Sequence, residues 1–203
     1  MTNSAHCTGA IIAGGRATRF GGVAKGLERV GGVRMIDHVA AALRDACDEL
    51  IIVANDPAAS EWIPGIRSVP DLRPGSGPLG GLQTALANGG AGVLALSWDS
   101  PFVPGGLLRA LREAGEAADA DAAVPVSNSL WGFEPLSAWY RASCRTAIDR
   151  RLDAGELRAA GWQDDVKTVR VDASRWGPPD EIFFNVNSSA DLAMAELRSR
   201  RAR

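Results

Sequence analysis

Apolar and polar positions along the chain fall into short runs divided by glycine- and proline-rich breaks. Residues 8–13 (TGAIIA) form a short, partly β-branched apolar run stopped by Gly14-Gly15, the pattern of a buried strand. Met35, Ile36, Val39, Leu43, Ala46 and Cys47 then recur at spacings of three and four, which predicts an amphipathic helix. Residues 50–54 (LIIVA) predict a second strand ended by Asn55-Asp56-Pro57, and residues 66–70 a short third one. A Pro/Gly loop over 71–78 leads to a helix near 81–88. Residues 93–97 (VLALS) predict the next strand, closed by Trp98-Asp99-Ser100-Pro101, and 104–118 a helix with proline in its first turn. Strands follow at 122–126, 167–172 and 183–187, with a helix over 141–154 and an irregular or extended stretch over 131–140. Ser188 and Asp191 make a capping box for a final helix.

Strands alternating with helices predict an α/β protein. The expected architecture is three layers, a mostly parallel central sheet covered by helices on both faces. The 203 residues, 46% of them hydrophobic, suffice for one sizeable core, so residues 1–203 are expected to form a single domain. With 22 basic against 24 acidic residues there is no basic excess to meet a nucleic-acid backbone. No apolar run approaches the roughly 20 residues that span a bilayer. Residues 1–15 place no basic region ahead of an apolar one and do not read as a signal peptide. Cys7, Cys47 and Cys144, an odd and scattered set, suit a reduced compartment and point to the cytoplasm. They are expected to be buried fillers, and the basic tail over 198–203 a solvated helix end.

In an open α/β sheet, ligands bind beyond the carboxyl ends of the strands. Residues 14–25, Asn55, residues 71–81, Asp99, and Asn185 with Asn187 all fall at such ends. Glycines after the first strand let backbone N–H groups converge on an anion, and Arg16, Arg19 and Lys25 add positive charge, which suits a polyphosphate. This is not a P-loop, because Lys25 lies between Ala24 and Gly26. Gly75-Ser76-Gly77-Pro78-Leu79-Gly80 fits G-x-G-x-x-G but is separated from its strand, so it reads as a loop packing against a nucleotide's base or ribose rather than as a dinucleotide turn. Asp99 is a hard oxygen ligand suited to Mg²⁺, with a helix N-cap as the other reading. Asp71 is a second ligand candidate or a turn residue. Asn185 and Asn187 alternate on their predicted strand and would face one side, to grip phosphate or a carboxylate or to serve as turn and cap.

Taken in order, these motifs resemble the molybdenum cofactor guanylyltransferase family, in the nucleotidyltransferase superfamily, which implies a three-layer Rossmann-like fold. The opening signature reads Ile12-Ala13-Gly14-Gly15-Arg16-Ala17-Thr18-Arg19-Phe20-Gly21-Gly22-Val23-Ala24-Lys25. Asp71 precedes Gly77-Pro78-Leu79-Gly80-Gly81. Asp99-Ser100-Pro101, then Pro135-Leu136-Ser137-Ala138-Trp139-Tyr140, then Phe183-Phe184-Asn185-Val186-Asn187 complete the series. Ala24 stands where the family usually has Asp, Leu157 where a basic residue is usual, and Trp98 where a small one is typical.

The resemblance implies that Ile12, Ala13, Gly14, Gly15, Lys25, Asn55, Asp71 and Asp99 bind the nucleotide, Asp99 through Mg²⁺. It places Asn185 and Asn187 near the acceptor, and it gives Arg19, Lys25 and Asp99 the catalytic work. The implied reaction moves GMP from GTP to the phosphate of molybdopterin and releases pyrophosphate. The implied protein contacts are transient ones with other cofactor-biosynthesis proteins or molybdoenzymes, with neither nucleic acid nor membrane. A CTP-using molybdopterin cytidylyltransferase, a sugar-1-phosphate nucleotidyltransferase and a non-catalytic nucleotide-binding regulator stay open on the residues alone.

Overall fold

The computed structural model describes residues 6–14, 19–20 and 23–201. Strand β1 (Cys7–Ile12) comes first. Two small antiparallel pairs follow, β2 (Arg19–Phe20) with β3 (Val23–Ala24) and β4 (Arg29–Val30) with β5 (Val33–Arg34), and then helix α1 (Met35–Arg44). Next are β6 (Glu49–Val53), the one-turn helix α2 (Ala59–Trp62), β7 (Arg67–Val69), α3 (Gly77–Asn88), β8 (Gly92–Ser97) and α4 (Gly105–Ala117). The remainder runs β9 (Ala122–Pro125), β10 (Ser137–Arg141), α5 (Arg145–Asp153), β11 (Thr168–Val171), α6 (Pro179–Ile182) and α7 (Ser189–Arg201).

Seven strands make the central sheet in the order β11-β9-β10-β8-β1-β6-β7. All pair in parallel except β10, which runs antiparallel between β8 and β9. Strand β1 is buried along its whole length, which is why it reads as a continuous apolar run rather than an alternating one. Its period of two divides the core. Ile11 and Ala13 face the layer containing α1 and α4, while Ala10 and Ile12 face the layer containing α3 and α5. The expected three layers are therefore present.

Several details differ from the sequence expectation. Residues 183–187 are not a strand. Both edges of β8 are already taken, by β1 and β10, so the segment finds no ladder: Phe183 N and Phe184 N bond back to the Pro179 and Glu181 carbonyls, and Val186 N donates to Asp99 O at 2.9 Å. Helix α3 begins at Gly77, ahead of residue 81, with Pro78 in its first turn where the missing N–H costs nothing. Residues 137–141 pair as β10, the extended alternative for the end of 131–140 and one residue beyond it, and the helix expected from residue 141 opens as a single 3₁₀ turn, Ala142–Cys144. The turn after α1 brings Cys47 close to Cys7, and all three cysteines are free thiols. The basic tail is not wholly solvated, since Arg198 lies over the Phe184 ring at 4.1 Å and donates to the Asp180 carbonyl at 3.0 Å. No helix among the described residues is long and apolar enough to cross a membrane.

Candidate active site

From β1 the chain steps outward to β6 and β7, then returns to place β8 on the other side of β1. Strand order thus reverses between β1 and β8, where an open α/β sheet leaves a crevice at the carboxyl ends. Ile12 and Ser97 are register partners across that seam. Gly14 follows one strand and Asp99 the other. Because β10 is antiparallel, its leading residues Pro135 and Leu136 reach the same edge, as does Ser127 just past β9.

At the crevice floor Lys25 Nζ donates to Asp99 Oδ2 at 2.5 Å and to Asn187 Oδ1 at 2.7 Å. The Lys25 side chain is 5% exposed and that of Asp99 13%, so the pair is nearly buried. A buried ammonium needs such partners, because leaving it alone out of water costs several kcal/mol. Ser97 Oγ donates to the other Asp99 oxygen at 2.6 Å, and Ser100 Oγ donates to Asn185 Oδ1 at 2.6 Å. Asp99 is therefore no helix cap, and Pro104 is the residue ahead of α4. The capping box is present: Asp191 accepts from the Ser188 hydroxyl and from the N–H groups of Asn187 and Ser188, and these bonds hold its carboxyl below the usual range.

Two adjoining cavities open from this floor and share Gly14, Pro78, Ser97, Leu136 and Arg158. The first, about 680 Å³, is also walled by Ile12, Val53, Asn55, Asp71, Gly75, Gly77, Gly81 and Leu157. Asn55 and Asp71 brace each other there. Asn55 Nδ2 donates to Asp71 Oδ2 at 2.7 Å, and Asp71 N donates to Asn55 Oδ1 at 2.8 Å. Gly75 and Gly77 take φ of 82° and 60°, a region that favours glycine, so the loop bends into α3 as no other residue type would allow cheaply. The second cavity, about 460 Å³, is walled by Asp99, Ser100 and Asn185 on one side and by Ser129, Trp131, Phe133 and Glu134 on the other. A third cavity, lined by Cys47, Asp48, Glu49 and Arg67, lies at the amino ends of β6 and β7, away from this crevice.

Most expected site residues thus converge. Lys25, Asp99 and Asn187 touch, Asn185 sits beside them, and Ile12, Gly14, Asn55 and Asp71 wall the first cavity. Ala13 is buried, its side chain in the core beneath. Gly15 and Arg16 lie outside the described residues, and Arg19 is placed by its backbone, which pairs with Ala24. The sequence reading missed Ser97, Ser100, Glu134, Leu136 and Arg158. Their signals were adjacency: Ser97 and Ser100 flank Trp98-Asp99, Glu134 precedes Pro135-Leu136, and Arg158 is one residue beyond Leu157. Besides the Lys25 ammonium, the polar atoms gathered near Asp99 include the oxygens of Ser97, Ser100 and Asn185, and no group of three or more His, Cys, Asp or Glu gathers among the described residues. One carboxylate with spare lone pairs fits a hard cation that completes its shell with phosphate oxygens and water, rather than a metal caged by protein alone.

Residues 9–166 match the MobA-like NTP transferase domain family. The chain is 38% identical over 199 residues to the molybdenum cofactor guanylyltransferase of Cereibacter sphaeroides, covering 93% of this chain and 94% of that one. It is 34% identical to the corresponding protein of Burkholderia lata, over 96% of this chain and 98% of that one. In structure it is similar to molybdopterin-guanine dinucleotide biosynthesis protein A from Archaeoglobus fulgidus, with a TM-score of 0.78, 24% identity, and coverage of 96% and 99%. The chain belongs to the MobA-like NTP transferase family and is a nucleotidyltransferase.

Proposed function

We propose that this chain, as one nucleotidyltransferase domain over residues 1–203, transfers GMP from GTP to the phosphate of molybdopterin. The carrying observation is the Lys25–Asp99 pair, set where the strand order reverses, with Asp99 lining one of two joined cavities and its partner Ser97 lining both. One cavity takes the nucleotide and the other the acceptor. An oxygen of the acceptor phosphate forms a bond to the α-phosphorus of GTP. The bond from that phosphorus to the α–β bridging oxygen breaks, and pyrophosphate leaves with the electron pair. Chemistry of this kind asks for alignment and charge neutralisation rather than a protein nucleophile.

Ile12, Ala13, Gly14, Gly15, Asn55 and Asp71 serve nucleotide binding in this reading. Lys25 and Arg19 hold the departing phosphates. Asp99 would hold Mg²⁺, which would supply positive charge at the α-phosphate when bound. Asn185 and Asn187 stand on the acceptor side, and Arg158 lines both cavities, within reach of either phosphate. Cytoplasmic operation and transient hand-over to cofactor-biosynthesis proteins or molybdoenzymes complete the reading.

The test is pyrophosphate release from each nucleotide, with and without molybdopterin and Mg²⁺. Release that needs GTP, molybdopterin and Mg²⁺ together is expected. Asp99→Asn is expected to lower it about a hundred-fold or more while circular dichroism stays native. Release with CTP or with a sugar 1-phosphate in their place, GTP binding without turnover, or near-normal activity in Asp99→Asn would overturn the assignment.

A further inference from the structure

Glu134 is a carboxylate with no cation. Among the described residues it forms no ion pair. It accepts from the Ser127 hydroxyl at 2.8 Å, while the Ser129 hydroxyl donates to the Phe133 carbonyl at 2.8 Å. The two guanidinium groups in the neighbourhood are directed elsewhere, Arg158 over the Trp131 ring at 6.0 Å and Arg170 over the Phe133 ring at 5.2 Å. The residue is held on rigid backbone. Phe133 bridges to Val126, Glu134 N donates to the Pro125 carbonyl at 3.3 Å, and Ser137 N donates to the Glu134 carbonyl at 3.2 Å. Burial holds its carboxyl above the usual glutamate range against the pull of the serine hydroxyls, so desolvation is not offset within the protein. A carboxylate has about four acceptor sites, and the one Ser127 hydroxyl leaves room for two donors from a ligand. It lines the acceptor cavity opposite Asp99 and Asn185 and is absent from the wall of the nucleotide cavity.

We propose that Glu134 is a specificity-determining residue for the acceptor, accepting two hydrogen bonds from the amino group and adjacent ring N–H of a 2-amino-4-oxo pterin ring. This rests on molybdopterin being the acceptor. The chemistry is that of any carboxylate reading an amino-pyrimidine edge: two parallel N–H donors meet two carboxylate oxygens. Guanine carries the same edge, so the side of the site decides between them. Glu134 shares its cavity with Ser100 and Asn185, whereas Asn55 and Asp71 wall the other half.

The experiment is Glu134→Gln in the full chain, with saturating GTP and Mg²⁺. Gln keeps the size and an oxygen for the Ser127 hydroxyl, but loses the charge and turns an NH₂ group toward the ligand's donors. KM for molybdopterin is expected to rise about ten- to a hundred-fold, with kcat changed far less. GTP affinity by calorimetry and the melting temperature should match wild type, results that a purely structural role would not give. Glu134→Asp, which keeps the charge on a shorter stem, should show a smaller rise. If Glu134→Gln transfers GMP with wild-type KM for molybdopterin, the inference fails while the assigned reaction stands. A parallel loss of GTP affinity also overturns it, by putting Glu134 on the nucleotide. If wild type itself fails to use molybdopterin, the assigned reaction fails and this inference falls with it.

Discussion

A Cβ added to Gly26 would run into the six-membered ring of Trp98. That ring cannot retreat easily, because it stacks on Trp62 with centroids 5.2 Å apart. Gly26 follows Lys25 within a single 3₁₀ turn, so the contact sets where the ammonium stands relative to Asp99. The bulky residue before Asp99, unusual for the resemblance noted above, thus has a partner that accommodates it. Gly26→Ala is expected to cost about 1–3 kcal/mol through overpacking, and to lower turnover as Lys25 shifts. Adding Trp98→Leu should recover much of that stability, because two residues in contact are not additive. Denaturant melts of the two single variants and the double would show it, and strict additivity would mean that the ring does not set the position of Lys25.

The elements around this site were more legible than its contacts. Gly14, Asn55, Asp71 and Asp99 could be placed from sequence because each follows an apolar run, and a parallel sheet gathers carboxyl ends. The partnership of Lys25 with Asp99 and Asn187 could not, since those contacts span 74 and 162 positions. Glu134 and Ser127 were hidden for a different reason. They belong to the connection before β10, the one antiparallel strand of the seven-stranded sheet, and nothing in the apolar pattern of 137–141 reveals its direction. At the opposite end of the sheet the elements are tied by charge. Asp48 accepts from the Cys7 N–H at 2.7 Å, and Asp48 N donates to the Cys7 carbonyl at 2.9 Å, which fixes β1 against β6.

The Cys7 bond, with Arg112 and His6 adding to it, holds the Asp48 carboxyl below its ordinary value of 3.8. A depressed carboxylate stabilises the fold above its unfolded value, and loses that contribution as pH falls through the folded one. Because Asp48 is half exposed, its share is under about 1 kcal/mol. Asp48→Asn keeps an acceptor for Cys7 N–H and removes the charge. The stability gap between wild type and this variant should be present at neutral pH and close as pH drops below about 4. A gap that stays constant through acid would show that the charge is irrelevant and the hydrogen bond alone matters.

Across the whole molecule the site is closed by a third, small core separate from the two sheet faces. Val30, Met35, Val186 and Ala195 are buried together, with Phe102, Phe184 and Leu192 packed at the side. Glu196 accepts from Gly31 N–H at 2.9 Å, tying α7 to the turn between β4 and β5. This cluster lies outside the seven-stranded sheet, yet it positions Asn187 on Lys25, because Val186 sits between Asn185 and Asn187. A unit with its own few apolar contacts can open without the rest of the fold opening. Val186→Ala deletes two methyl groups from it, and is expected to cost about 2 kcal/mol locally. Amide exchange should therefore quicken across α7 while β1 and β8 keep their protection. Turnover should fall as Asn187 releases Lys25, with GTP affinity little changed, since Asn55 and Asp71 brace each other on the far side of the crevice. Exchange that quickened equally in β1 would show one cooperative core instead of three. Unchanged turnover with a loosened α7 would show that Lys25 keeps its place through Asp99 alone.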